Sequence, residues 1–407
     1  MDGLVIGLDL NDDYSQICCY GMEKAWTIPA VICRRKEKEV WLTGEEAYAA
    51  TLLGEGVIVD KLLNLASREG TSTIGGICYS GAELLRIFIR MMLDYPKKEF
   101  GVSEIAQLVI TLDKVEGKLL DTLMYCADYL QIPRDRVHVV SHTESFIYYV
   151  LGQRKELWTN QVALFELGAD RLCYYEMKVQ RGLKRNIVQA EAQNQEEAFS
   201  LDILDSPSGA RLADKILCSC GEKLLSRKLF STVFLTGKGF ERQDWAGDFM
   251  KLACRRRKVF AEECLFARGA AGKGWDYLQE HTAYPYIFVC EGRLKSEVSL
   301  KVMSRGRERQ LIAASWGDSW YESKSVLDLI LDGQKEIEFF INPLESRKKR
   351  SVRIPLTGFP DRPPRTTRVQ MSLAFTSETT MMAVIRDKGF GELYPAVDAV
   401  VRQEVNL

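Results

Sequence analysis

The feature that most constrains the fold of this chain is a strand–turn–strand pattern that occurs twice, about 150 residues apart. In the first copy, the apolar run of residues 3–10 ends at an Asn-Asp-Asp turn, and a second run covers residues 15–20. In the second copy, residues 162–167 lead through a Gly-Ala-Asp turn into residues 171–177. Two short apolar runs joined by turn residues are typical of a β-hairpin. The pattern therefore predicts two related halves.

Helical patterns and further strands follow each hairpin. Apolar residues recur at helical spacing between Ser80 and Asp94, and Ser80 with Glu83 has the spacing of a capping box. Further segments are predicted as strands at 108–112, 137–140 and 233–236 and as helices at 44–53, 119–130, 142–151, 211–225 and 261–278. Alternating strands and helices predict an α/β fold with ligand space in the cleft between the two halves.

The pattern changes near Ala283. Residues 284–384 alternate between short strands and turn residues and show no helical period, which is typical of an antiparallel β-sandwich. We therefore expect a first domain over residues 1–283, with lobes of about 1–155 and 156–283, and a sandwich over residues 284–395. Residues 396–407 are expected to form a short C-terminal tail, in which 397–405 make at most a short helix.

Composition limits the possible partners. Lys and Arg number 55 and Asp and Glu 56, so no net field favours nucleic acid or a membrane surface. The basic runs at 255–258 and 347–350 have acidic neighbours, which indicates solvated faces. No segment approaches the roughly 18 to 20 apolar residues that span a bilayer, and the first residues lack the basic region of a signal peptide.

The eleven cysteines show no Cys-x-x-Cys spacing, and Cys218 and Cys220 have no matching histidines for a zinc site. Scattered thiols of this kind indicate a reducing compartment. We therefore expect a cytoplasmic protein.

Several motifs, in the same order along the chain, resemble the nucleotide-binding fold shared by actin, sugar kinases and DnaK-type heat-shock chaperones. Residues 7–15 (GLDLNDDYS) resemble the first phosphate loop of that fold, and residues 165–171 (FELGADR) resemble the second. Residues 235–239 (LTGKG) resemble the adenosine loop, and residues 354–365 (IPLTGFPDRPPR) resemble a motif of the chaperones' β domain. The resemblance implies a duplicated actin-like ATPase domain, which is ribonuclease H-like, followed by an all-β sandwich similar to a chaperone substrate-binding β domain without its helical lid.

The resemblance also assigns a possible Mg-ATP site. Asp9 and Glu166 match the positions that hold Mg²⁺, and Lys61 matches the catalytic lysine of the chaperones. The matching nucleotide-binding positions are Asn11, Asp12, Asp13, Gly168, Ala169, Gly237, Lys238 and Gly239.

This chain departs from the pattern where phosphates would bind. Asn11-Asp12-Asp13 replaces Gly-Thr-Thr, and each carboxylate near a phosphate costs about 1 kcal/mol at 4 Å in water and more in a cleft. The same three residues also make a good turn without any ligand. Ala169, Asp170 and Arg171 replace Gly-Gly-Thr, where Arg171 would supply a positive charge. His142 replaces a glutamate of the resembled fold, or simply begins a helix.

These departures favour a chaperone-like protein- or peptide-binding scaffold with a degenerate ATP site and no assigned cofactor. The alternatives are an active Mg-ATP-dependent ATPase with atypical loops and an actin-like filament former. The expected partner is a protein or peptide bound by the sandwich, rather than nucleic acid or membrane. Trp316, Trp320 and Tyr321 cluster in the sandwich as either core residues or a ligand platform.

Overall fold

The computed structural model describes residues 3–36, 40–182, 185–195, 199–226, 228–344 and 349–407. Arg347 and Lys348 of the second basic run lie outside these described residues. The chain divides into two compact units, Met1–Tyr286 and Ile287–Leu407. This division lies three residues after the boundary that the change of sequence pattern predicts.

The first unit is mixed α/β. Its first half contains the strands β1 (Leu4–Asp9), β2 (Tyr14–Cys19), β3 (Ala25–Pro29), β4 (Ile32–Arg35), β5 (Trp41–Thr43), β6 (Gly56–Val59), β7 (Thr71–Ile74), β8 (Ile77–Ser80), β9 (Ile105–Leu112) and β10 (Val137–Ser141). The helices of this half are α1 (Gly44–Leu52), α2 (Leu62–Ser67), α3 (Gly81–Phe100), α4 (Gly117–Tyr129) and α5 (His142–Leu151).

The second half of the first unit contains the strands β11 (Gln161–Leu167), β12 (Leu172–Arg181), β13 (Asn186–Asn194), β14 (Phe230–Thr236) and β15 (Lys258–Ala261). Its helices are α6 (Pro207–Leu225), α7 (Gly247–Ala253) and α8 (Leu265–Tyr277). The predicted helix over 261–278 thus begins at Leu265. Ala261, the first residue of that predicted helix, is instead the last residue of β15, which pairs in parallel with the buried strand β14.

Each half builds a sheet with the same order of strands. The first sheet runs β10-β9-β1-β2-β3, and the second contains the order β15-β14-β11-β12-β13. In both, the predicted hairpin pairs antiparallel, β1 with β2 and β11 with β12. The strand on the other side pairs in parallel, β9 with β1 and β14 with β11. The two hairpins predicted from the sequence therefore occupy the same place in two sheets.

Helices α5 and α8 contact each other closely between these halves. A Cβ atom on Gly269 of α8 would lie 1.9 Å from the carbonyl oxygen of Ser145 in α5. A Cβ atom on Gly7 of β1 would likewise lie 1.9 Å from the carbonyl oxygen of Ala267. Only glycine permits such approaches, so these two positions fix how α8 packs on the first sheet and on α5.

The second unit is β-rich, and its described residues contain no helix. It has β16 (Ile287–Val289), β17 (Ser296–Ser304), β18 (Arg307–Ala314), β19 (Lys324–Leu331), β20 (Glu336–Pro343), β21 (Arg350–Pro355), β22 (Thr367–Ser377), β23 (Thr380–Gly389) and β24 (Val400–Asn406). Two four-stranded sheets are antiparallel, with the orders β18-β17-β20-β21 and β19-β22-β23-β24. Every second residue is buried along β20, β22 and β23, as the alternating pattern predicts.

The prediction for the C-terminus was wrong. Residues 397–405 do not form a short helix; β24 pairs antiparallel with β23, so that Val401 lies opposite Ile385 and Val405 opposite Met381. Both valines are buried, which their spacing of four residues allows in a strand as well as in a helix. The free edge of β23, the preceding strand, decides between the two.

No helix of the described residues is long and apolar enough to cross a membrane.

Candidate functional site

A cavity of about 430 Å³ lies in the first unit where the ends of β1, β11 and β14 meet. The structure brings together eight of the eleven predicted site residues as its lining: Asp9, Asn11, Asp13, Glu166, Gly168, Ala169, Gly237 and Lys238. Asp9 and Glu166 stand at the ends of β1 and β11, and the others belong to the turns that follow these strands and β14. The equivalent places of the two hairpins in their sheets explain why residues so far apart in sequence meet here.

The other three predicted residues have different surroundings. Asp12 turns to helix α2, where its carboxylate accepts hydrogen bonds from the amides of Leu63 at 2.9 Å and Asn64 at 3.3 Å. Burial raises the pKa of Asp12, although these two amides lower it in part. Lys61 forms an exposed ion pair with Asp13, and this hydrogen bond raises the pKa of the lysine.

Gly239 packs closely against the side chain of Leu167. A Cβ atom at this position would lie only 2.3 Å from the leucine Cδ2. Asp170 is exposed and is not part of the cavity lining. Of the three acids that the sequence places near a phosphate, only Asp13 thus faces the cavity.

His142, the first residue of α5, is engaged with Asp9. Its Nε2 lies 2.8 Å from Oδ1 of Asp9, and its ring stacks on Phe266 with 3.9 Å between centroids. Burial lowers the pKa of His142, but Asp9, Glu166 and Asp113 raise it, and the net shift is upward. The carboxylate at the end of β1 is therefore already held by a buried side chain of the protein.

Glu166 is engaged in the same way. The guanidinium of Arg171 lies 3.3 Å from Glu166 Oε1 and 2.5 Å from Asp113 Oδ2. The hydroxyl of Tyr175 donates a hydrogen bond of 2.8 Å to Glu166 Oε2. Burial lowers the pKa of Arg171, but the two carboxylates raise it above its ordinary value, so the guanidinium stays charged. Arg171, in the turn between β11 and β12, thus joins Glu166 of its own hairpin to Asp113, which follows β9 in the first half.

The lining of the cavity as a whole is strongly acidic. The carboxyl groups that line the cavity are those of Asp9, Asp13, Glu166, Glu241, Glu262 and Glu263. Among the described residues of the lining, Lys238 is the one lysine or arginine. Its amine contacts the hydroxyl of Tyr14 at 2.6 Å and lies 4.3 Å from the centroid of that ring. Lys238 is therefore also engaged by the protein.

These residues do not fit Mg-ATP well. A triphosphate would meet several carboxylates, and like charges at about 4 Å repel by several kcal/mol in a cleft of low dielectric constant. Magnesium would compete with His142 for Asp9 and with Arg171 for Glu166. The described residues contain no group of three or more His, Cys, Asp or Glu side chains placed to hold a metal ion.

Sequence reasoning found the strand ends but not their partners. It considered Arg171 as a charge for a phosphate, whereas the side chain pairs with Glu166 and Asp113. It also left open whether His142 merely begins a helix, and the residue does so while contacting Asp9. Tyr175 was missed, although its place on β12 opposite Leu164 identifies it as a residue of the second hairpin.

Fold and site together define a two-unit protein, in which a mixed α/β unit with an acidic cavity precedes a β-rich unit. Residues 13–291 match the C-terminal part of a family of unknown function, DUF5716. The chain therefore belongs to the DUF5716 family. Residues 293–407 match a separate domain of unknown function, DUF8552. No curated protein matches the chain.

Proposed function

We propose that this chain is a chaperone-like scaffold that binds proteins or peptides, with an actin- and DnaK-type first unit whose nucleotide site is closed by internal contacts. The equal strand order and pairing sense of the two sheets support a duplicated actin-like ATPase domain. The two four-stranded sheets of the second unit support a β-sandwich like the chaperone substrate-binding β domain. The resemblance in motif order connects the two units to one class of protein.

One observation supports a closed nucleotide site: both carboxylates that were predicted to hold magnesium already contact other side chains of the protein. Glu166 contacts Arg171 and Tyr175, and Asp9 contacts His142. Removing one partner of a buried charge pair leaves the other uncompensated, which is costly. Because Arg171 is half-buried and His142 fully buried, a metal ion would compete with established contacts for these two carboxylates.

A second candidate function, an active ATPase, is favoured by the gathering of eight predicted residues around one cavity of suitable size. Asp12 and Asp170 also lie away from the cavity, which removes part of the expected repulsion. In this alternative, Asp9 and Glu166 organise the magnesium ion and Lys238 approaches a phosphate.

Thermal unfolding with and without Mg-ATP, combined with a phosphate-release assay, separates the two candidates. A ligand present at 100 times its Kd stabilises a protein by about 2.7 kcal/mol, so binding is readily seen. The scaffold predicts no change in Tm and no phosphate release. The ATPase predicts that Mg-ATP raises the Tm and that phosphate is released. If Asp9→Ala abolishes both effects while the matched variant Asp170→Ala retains them, the ATPase is established and the proposal is contradicted.

Binding itself is tested with a permanently unfolded, fluorescently labelled protein. The scaffold predicts that the full chain raises its fluorescence anisotropy to the same extent with and without Mg-ATP. Absence of any binding across peptides and unfolded proteins contradicts the scaffold.

A further inference from the structure

The outer face of the β19-β22-β23-β24 sheet carries a set of cations that form no ion pair with any residue that the structure describes. Along these strands, every second residue of 324–330, 368–374, 382–388 and 400–404 points away from the buried side. We call these positions the arginine face. Its cations are Lys324, Arg368, Arg386, Lys388 and Arg402, against the two acids Asp328 and Glu404.

The strand register places three of the arginines on neighbouring strands. Gln370 lies opposite Arg386, and Arg368, two residues earlier and beyond an irregularity of the register, lies opposite Gly389. Arg386 lies opposite Val400, so Arg402, two residues later, is its diagonal neighbour on the other side. Diagonal neighbours in an antiparallel pair are about 7–8 Å apart. The three arginines therefore lie on three neighbouring strands, with Arg386 on the middle one.

None of these five cations has an ion-pair or hydrogen-bond partner among the residues that the structure describes. The outer face of the other sheet is different. There Lys301 lies 3.0 Å from Glu308, and Arg353 lies 3.2 Å from Glu338. Neighbouring like charges on a sheet destabilise it slightly, and an external anion would relieve this. The arginine face is thus complementary to a negatively charged partner.

We propose that the arginine face binds an extended, acidic polypeptide segment that carries carboxylates at alternate positions. This inference rests on the proposed binding function and names its surface and partner class. Residues two apart in an extended chain are about 6.6–6.8 Å apart, close to the spacing of the diagonal arginines. Each arginine is able to bind a carboxylate with two parallel hydrogen bonds.

Apolar residues beside the arginines add area for such a segment. Val326, Ile330 and Val400 belong to the same face, and their side chains are 63%, 55% and 45% exposed. Covering apolar surface contributes about 25 cal/mol per Å², so these residues favour a polypeptide with apolar side chains between its acids.

Two other partners fit this face less well. Single-stranded nucleic acids bind through aromatic side chains on which bases stack, and the positions of the arginine face include no Phe, Tyr or Trp. A second copy of the chain would bring the same cations against one another if the two faces met. An acidic protein segment meets neither difficulty.

The test uses the full chain and two labelled peptides of equal composition, one with alternating Glu and Val and one with the Glu and Val residues in separate blocks. Fluorescence anisotropy measures binding to wild type, to Arg386→Gln/Arg402→Gln, and to the control Arg353→Gln on the other sheet. We expect the alternating peptide to bind wild type and the control alike, more tightly than the block peptide. The double variant should bind at least about tenfold more weakly, since hydrogen bonds to charged groups contribute roughly 1.5–3 kcal/mol.

If the double variant binds the alternating peptide as tightly as wild type does, the arginine face is not the binding site of the peptide. Tighter binding of an oligonucleotide of equal charge also contradicts the inference. A neutral Val-rich peptide that binds all three proteins while the acidic peptide does not also overturns the inference, yet leaves the binding function in place. Failure of every peptide and unfolded protein to bind overturns both. Unchanged Tm values of the variants show that any loss is not a loss of folding.

Discussion

Beside the cavity of the first unit, Arg171 pairs with Glu166 and Asp113, and His142 holds Asp9. On the arginine face of the second unit, Arg368, Arg386 and Arg402 have no ion-pair partner among the described residues. The cavity groups are buried or half-buried, where an unpaired charge is costly, whereas the face arginines are solvated. The difference shows that a site can contain the residues expected for ligand binding while their side chains are already paired within the protein.

The largest effect is expected where burial is most complete. Lys273 of α8 and Glu144 of α5 form an ion pair, and both side chains are almost fully buried. Lys273→Met removes the ammonium group that pairs with the buried carboxylate of Glu144, which should lower the free energy of unfolding by about 3–5 kcal/mol. Urea denaturation followed by circular dichroism measures the change.

The control for this prediction removes both charges. Glu144→Met/Lys273→Met fills the same space with apolar side chains, so the double variant should recover most of the lost stability. If Lys273→Met unfolds at the same urea concentration as wild type, the ion pair of Lys273 with Glu144 does not stabilise the first unit. That result would contradict the statement that an unpaired buried charge is costly here.

A smaller and pH-dependent effect is expected at Asp387 of the second unit. Its carboxylate accepts two hydrogen bonds of 2.9 Å from Arg362 and one of 2.9 Å from the amide of Val397. Burial raises the pKa of Asp387, but the contacts with Arg362, Val397 and Gly389 lower it, and the net shift is downward. Asp387→Asn should therefore lose roughly 1.5–3 kcal/mol at neutral pH.

The sign of the pH dependence follows from the lowered pKa. The carboxylate contributes its stability above the ordinary value of 3.8 and loses it as the pH falls through the lower value of the folded state. The stability difference between wild type and Asp387→Asn should thus be constant from pH 7 to about pH 5 and shrink below about pH 3.8. A difference that instead grows in acid contradicts this assignment.

The smallest effect is expected on the arginine face. Arg386→Gln removes a solvated charge with no described ion-pair partner, so stability should change by less than about 0.5 kcal/mol. The same urea titration measures it, with Arg353→Gln, which loses its contacts with Glu336 and Glu338, as the matched comparison. A loss of 2 kcal/mol or more in Arg386→Gln would mean that the chain does use this arginine internally.

Much of the fold was predictable because its signals are local. Apolar runs at 3–10 and 162–167 became β1 and β11 with their antiparallel hairpins. The capping box at Ser80 and Glu83 is present at the start of α3. The alternating residues of the second unit became strands without helices in the described part of the chain.

Other segments required partners that the sequence does not reveal. The strand over residues 258–261 exists because β14 offers a parallel edge, and β24 exists because β23 offers an antiparallel one. A short segment with alternating or mixed apolar residues is compatible with helix and strand alike, so its state depends on what lies beside it. The same holds for the site: Arg171 is five residues from Glu166, but its second partner, Asp113, comes from another part of the chain.

The sequence by itself determined the two hairpins, the change from mixed to strand-only structure, and the carboxylates at the ends of β1 and β11. Each of these depends on residues that are neighbours along the chain. Only the tertiary structure decided that Asp9 and Glu166 are bound by His142 and Arg171, and that three arginines lie on three neighbouring strands. Pairing and register are relations between distant segments, because strands meet through backbone hydrogen bonds that carry no signature in either segment alone.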